Sequence, residues 1–461
     1  MASPLSNLPE ELLQHIVSEF EAHEFDGYGN TRVGKYHIYQ RTLRSLLRVN
    51  KQFHRLAQPL LYKSIASIRH DRPWALRLLR TLLEQPKLAD LVQNVRMEGD
   101  VFESYGKQTT SEEPGGWDPE LVSAATKRVE EVSNHGSLAD RILASLKNGS
   151  NSVCCDRGAC MTLLLILVRN VTFLHLQTPF SWEASFTAEL VENLARLSYS
   201  PDSADAKPAM LNSFLPRLKT LEVEHWDTEG SVDLGRLSNM VRIPSLEVLR
   251  GHMLSVEQHM GDLGSWPCKM KTIDLTYSMV DAPGLEILLR QFSSLQHLGI
   301  EWGDACVGDC EISWPEIGDA LRKYAKSLKF LRLDCSQAFG FEDSEPPFLP
   351  LGDLRPLARL EKLAVHWTCL PGEEDEDLHF SPSNLASILP ESLVELKLLD
   401  WSLKNAEEGY EGLGTRLSRL VEDKRFGALK VIGLGRIDPV REDFDYAAWY
   451  KDRLGPSGSS G

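Results

Sequence analysis

A short aliphatic spacing recurs through the second half of this chain and constrains its fold more than any other feature. The unit is φ-x-x-φ-x-φ, with φ aliphatic. It runs Leu218/Leu221/Val223, then Leu246/Leu249 with Gly251 in the third place, Met270/Ile273/Leu275 and Leu295/Leu298/Ile300. It continues as Leu328/Leu331/Leu333, Leu360/Leu363/Val365, Leu393/Leu396/Leu398 and Leu429/Ile432/Leu434. Successive copies start 24 to 36 residues apart. Weaker copies start at Val92 and Val171. The terminal φ-x-φ has the period of a strand, and segments such as 282–292, 315–325 and 416–423 between copies have helical spacing. A strand, a turn, a helix and the next strand make a unit that cannot bury its apolar face alone, so units stack. Crossover connections of this length force parallel strands.

This pattern resembles the leucine-rich repeat. In the regular motif an Asn follows at a fixed offset and satisfies turn backbone groups. Here that place holds Trp226, Leu254, Ser278, Gly303, Ser336, Thr368, Trp401 and Ile437. The resemblance is therefore to irregular repeats. A Ser stands before the first anchor at Ser245, Ser294, Ser327 and Ser392.

The N-terminal block has a different period. Leu8, Leu12, Leu13, Ile16, Val17 and Phe20 recur at spacings of three and four, an apolar stripe on a helix. Pro9 suits the first helical turn, Glu10 and Glu11 complement the positive end of the helix dipole, and Ser6 or Asn7 could cap it. After a polar interval, Leu43, Leu46, Leu47, Val49, Phe53, Leu56 and Leu60 repeat the spacing, with Asn50 and Pro59 as candidate breaks. In this order Leu8, Pro9, Glu10, Leu12, Leu13, Ile16, Leu43, Leu46, Leu47, Val49, Asn50, Phe53, Leu60 and Tyr62 resemble the F-box, most of all the F-box proteins of filamentous fungi. The spacer at 21–40 is longer than that family's short turn and is expected to loop out, since closing a longer loop adds little entropy cost.

The resemblances imply an α/β chain. An F-box helical hairpin at 1–65, with its insertion at 21–40, precedes a mainly helical connecting region at 66–170 that could hold early irregular repeats. An irregular leucine-rich-repeat solenoid at 171–440 follows, with a parallel concave sheet and convex helices. A C-terminal tail occupies 441–461. Leu8, Pro9, Glu10, Leu12, Leu13, Ile16, Leu43, Leu46, Leu47, Val49 and Phe53 would bind a Skp-type adaptor and, through it, a cullin. The repeats would hold a protein substrate. The other reading is a leucine-rich-repeat scaffold acting outside any ligase.

Composition narrows the partners. The 461 residues carry 50 Lys and Arg against 66 Asp and Glu, a formal charge of −16. That disfavours nucleic acid and anionic membrane, both of which need clustered cations. The start lacks a basic and then apolar leader, and the longest apolar run (163–168) is too short to span a bilayer, so a cytoplasmic or nuclear protein is expected. Eight cysteines without paired C-x-x-C spacing read as reduced structural thiols. No phosphate-loop, dinucleotide, zinc-protease or serine-hydrolase motif is present, so no enzyme activity, catalytic residue, metal or cofactor is expected. Trp226, Trp302, Trp367 and Trp401 follow several strands at a nearly constant offset. They are candidate substrate contacts, because one Trp buries a large area. The competing reading is that they replace the missing Asn as packing.

Overall fold

The computed structural model describes residues 8–21, 30–67, 72–97, 119–132, 144, 153–178, 215–225, 231–258, 269–303, 312–338, 350–366, 369–370, 372–373, 381–382, 385–399, 417 and 419–434. The chain divides into two compact units, Met1–Trp226 with Asn239–Leu246, and Asp227–Ser238 with Glu247–Gly461.

The first unit opens with three helices, α1 (Glu10–Ser18), α2 (Asn30–Leu46) and α3 (Lys51–Lys63). Pro9 sits at the N-cap of α1 rather than inside the first turn, and its carbonyl accepts from Leu12 N and Leu13 N at 3.1 and 3.2 Å. Ser6 and Asn7 lie outside the described residues. Asn50 is the break expected of it: its side chain caps α3 by accepting from Phe53 N at 2.9 Å. Pro59 is not a break. Helix α3 runs through it to Lys63, with the proline on the exposed side, where the bond it cannot donate is left to water. The insertion at 21–40 differs from the surface loop expected of it. Its second half is helical and belongs to α2, and Tyr36 and Gln40 are buried.

Helix α3 passes directly into strand β1 (Ser64–Ser67). β1, β2 (Asn94–Met97), β3 (Phe173–Thr178) and β4 (Thr220–His225) then pair in chain order, all parallel. Ile65, Val95, Leu174 and Leu221 stand in register and are buried. The ladder therefore begins at Ser64, well before residue 171, and segment 66–170 contributes strand β2. Helices α4 (Arg72–Glu84), α5 (Pro86–Ala89), α6 (Pro119–Val132) and α7 (Val153–Leu167) fill the connections.

The second unit repeats the plan. β5 (Val232–Asp233), β7 (Leu254–Val256) and β9 (Met279–Val280) form a small parallel sheet. β6 (Val248–His252), β8 (Thr272–Thr276), β10 (His297–Gly303), β11 (Phe330–Gln337), β12 (Lys362–His366), β15 (Glu395–Leu399) and β16 (Val431–Leu434) form the main parallel ladder. β13 (Gly372–Glu373) and β14 (Ser381–Pro382) make a separate antiparallel pair. Helices α8 (Ala282–Gln291) and α9 (Trp314–Tyr324) occupy two of the connections at nearly the expected places. The expected layer of helices is thus partly built of the short strands β5, β7 and β9. The architecture is mixed α/β, with repeated parallel strands joined by helices and short strands.

The anchors before the last copy fill the interior. Leu249, Ile273, Leu298, Leu331, Leu363 and Leu396 stand in register and are all buried, and Ile432 on the last strand is only partly covered. Three of the four serines before the anchors join successive repeats, whereas the buried Ser245 Oγ has no hydrogen-bond partner among the described residues. Ser294 Oγ donates to Met270 O (3.2 Å), Ser327 Oγ to Leu295 O (2.7 Å) and Ser392 Oγ to Leu360 O (2.8 Å), each acceptor being the first anchor of the repeat before.

The missing Asn also has a replacement. Ser278 Oγ donates to Thr276 O at 2.9 Å and accepts from Leu254 N at 3.1 Å, tying one turn to the preceding one. The chain turns out of β6 and β8 at Met253 and Tyr277, one repeat apart, both with φ in the left-handed region (58° and 49°). At Gly303, on the next repeat, a Cβ would stand 2.7 Å from Tyr277 Cα, so the corner admits no side chain there.

Candidate functional site

The N-terminal hairpin separates its apolar residues into two sets. Leu13, Val17, Leu43, Phe53 and Ala57 form the core, with Leu8, Phe20, Leu46, Leu47, Leu56, Leu60 and Leu61 packed partly buried around it. Leu12 is 51% exposed, Ile16 is 42% exposed and Val49 is 60% exposed. Leu12 and Ile16 are four apart on α1, so their side chains stack one above the other as a ridge on the helix surface. Leu13 and Val17 have the same spacing one residue on, a rotation of about 100°, and point inward. A single sequence stripe has thus become two faces. Of the eleven expected adaptor-binding residues, Leu13, Leu43 and Phe53 shape the hairpin from within, and Leu8, Leu46 and Leu47 lie at its margin. Pro9, Glu10, Leu12, Ile16 and Val49 are exposed. Glu10 pairs with Arg55 across α1 and α3. This surface pair adds little stability.

Of the four candidate tryptophans, Trp226, Trp367 and Trp401 lie outside the described residues. Trp302 is 1% exposed, donates its indole N–H to Val280 O at 2.9 Å, and meets Trp314 edge to face with ring centroids 5.4 Å apart. It packs the second unit's interior and offers no surface to a partner.

The polar side of the main sheet pairs with itself. Arg332 on β11 reaches across β10 to Asp274 on β8 at 2.9 Å and lies 3.7 Å from Glu301. It can do so because Gly299 stands between them. A Cβ there would lie 2.3 Å from Asp274 Oδ1. Glu395 takes Lys362 at 3.2 Å and Lys397 at 2.6 Å. In the first unit, His175 Nε2 meets Glu224 at 3.0 Å. Burial, with Asp334 and Asp274 nearby, holds the Glu301 carboxyl above the usual carboxylate range despite Arg332. Charged side chains on this side of the sheet are thus largely paired with one another, within a strand or across strands.

Among the described residues no group of three His, Cys, Asp or Glu side chains could hold a metal. Cys160, Cys335 and Cys369 are buried. No helix among the described residues is long and apolar enough to cross a membrane.

No protein-family model and no curated protein matches this chain. Among solved structures it is similar to an internalin from Listeria monocytogenes, at 13% identity over 59% of this chain and 69% of that one, with a TM-score of 0.28.

Proposed function

We propose that this chain is the substrate-recognition subunit of an SCF-type ubiquitin ligase. The exposed ridge of Leu12 and Ile16, with Val49, docks on a Skp-type adaptor and through it on a cullin. The repeat units present a protein substrate. No residue of the chain performs the transfer chemistry. Its contribution is to raise the local concentration of a substrate lysine near the charged enzyme.

One observation carries this reading. The hairpin has a complete small core of its own and still leaves large aliphatic side chains in water, at positions that match the F-box order. Leu12 and Ile16, one turn apart on α1, offer a partner a contiguous aliphatic ridge. Pull-down of the adaptor by the full chain tests it, with Leu12→Asp and Ile16→Asp together abolishing capture.

A second reading is a repeat scaffold outside any ligase, and the helix built into the insertion favours it, since that helix enlarges the hairpin beyond the two-part motif. Co-purification of partners without adaptor or cullin would select it.

A further inference from the structure

Strand β1 stands first in the ladder, so among the described residues one of its edges has no strand beside it. Pairing with β2 uses alternate backbone groups, beginning with Lys63 O, which accepts from Gln93 N at 2.9 Å. Ser64 O and Ala66 N fall on the other edge. An uncovered row of such groups is costly when buried and invites pairing with another chain when exposed.

Both groups are taken by side chains of α2. Tyr36 Oη donates to Ser64 O at 3.3 Å and accepts from Ala66 N at 3.0 Å. Gln40 Nε2 donates to Ser64 O at 3.3 Å and to Leu61 O at 3.2 Å. Tyr36 and Gln40 are four apart and both are buried, with Tyr36 packed against Ala66 and Phe173. Burial holds the Tyr36 phenol protonated, its pKa pushed up to about 12, so it donates at any physiological pH. Three residues beyond Gln40, Leu43 enters the hairpin core with Leu13 and Phe53. One helix therefore plugs the hairpin core at one end and caps the sheet edge at the other.

We propose that α2, which begins in the 21–40 insertion and runs on to Leu46, is a strut. It closes the open edge of β1 and fixes the docking hairpin to the start of the strand ladder. On the reading above, an adaptor seated on Leu12 and Ile16 is thereby held at a set orientation to β1 and β2.

Hydrogen–deuterium exchange on the full chain tests this with two variants, Tyr36→Phe and Gln40→Leu. The strut predicts that Tyr36→Phe speeds exchange of the Ala66 amide roughly tenfold or more. Gln40→Leu speeds exchange over 61–67 less, because Ser64 O keeps the Tyr36 bond. In both, segments 10–18 and 51–63 up to Leu60 keep wild-type protection, and adaptor capture persists. Unchanged exchange at Ala66 in Tyr36→Phe overturns the proposal. So does hairpin protection lost in step with β1 in both variants, which would make Tyr36 ordinary core. If wild-type chain captures no adaptor, the ligase reading falls and the exchange result still decides the strut.

Discussion

Leu12 and Leu13 are neighbours in the chain and lie on opposite sides of the boundary between surface and core: Leu12 is 51% exposed and Leu13 is fully buried. Identical side chains one residue apart should therefore respond oppositely to truncation. Leu13→Ala should destabilise the hairpin by about 2–5 kcal/mol, the cost of lost burial plus a cavity, whereas Leu12→Ala should stay within about 0.5 kcal/mol. Urea unfolding followed by helix signal separates the two. Equal losses would mean that Leu12 is packed.

Gly299→Ala should break the Asp274–Arg332 pair, because the new methyl would stand 2.3 Å from Asp274 Oδ1. Arg332 is nearly buried, so separating it from its partner leaves a poorly solvated charge, and a loss of about 1–3 kcal/mol is expected. Thermal melting of the variant measures it. Asp274→Ala should bring part of the same loss, and adding it to Gly299→Ala should cost little more, since both act on one contact.

Ser278→Ala removes the hydroxyl that serves two turns at once. It leaves Leu254 N without its acceptor, and a loss of about 1–3 kcal/mol follows. Ser278→Asn tests whether the residue of the regular motif can take over, and it should recover part of the loss if the side-chain amide reaches Leu254 N.

The carboxyl of Glu301 is held above its ordinary range by burial first and by Asp334 and Asp274 next. A raised folded pKa means that protonation favours the fold. This contribution is complete below the unfolded value and is lost as pH rises through the folded one. Glu301→Gln should therefore raise melting temperature at pH 7.5, with the gain shrinking to nothing as the pH is brought below the ordinary glutamate value. A loss at neutral pH would show that the Arg332 contact outweighs burial, and a gain that persists in acid would show that the effect does not come from ionisation of Glu301.

Much of the ladder was legible in the sequence because each anchor triplet couples a strand period to a fixed repeat. Leu331 and Leu363 are buried because the spacing that identifies them is the spacing that faces them inward. The serines before the anchors were visible as a pattern, but their bonds to the preceding repeat needed the register of the strands. β1 was not legible, since Ser64–Ser67 has a single large aliphatic and follows a helix without a turn. Nor was the division of the α1 stripe. A stripe of six apolar residues wraps too far round a helix to face one neighbour, and only α2 and α3 decide which part is covered. The role of α2 was hidden because Tyr36 and Gln40 act through polar groups in a polar stretch, where hydrophobic spacing carries no signal.

On the proposed function, the Leu12–Ile16 ridge is a docking surface. Capture of a purified Skp-type adaptor by the full chain, measured beside a Leu12→Asp/Ile16→Asp double variant with matched circular dichroism and melting, tests it most directly. Both side chains are exposed, so the variant should fold as the wild type does while losing capture by about a hundredfold or more. Adaptor capture by the double variant at wild-type strength would mean that the ridge is not the docking surface.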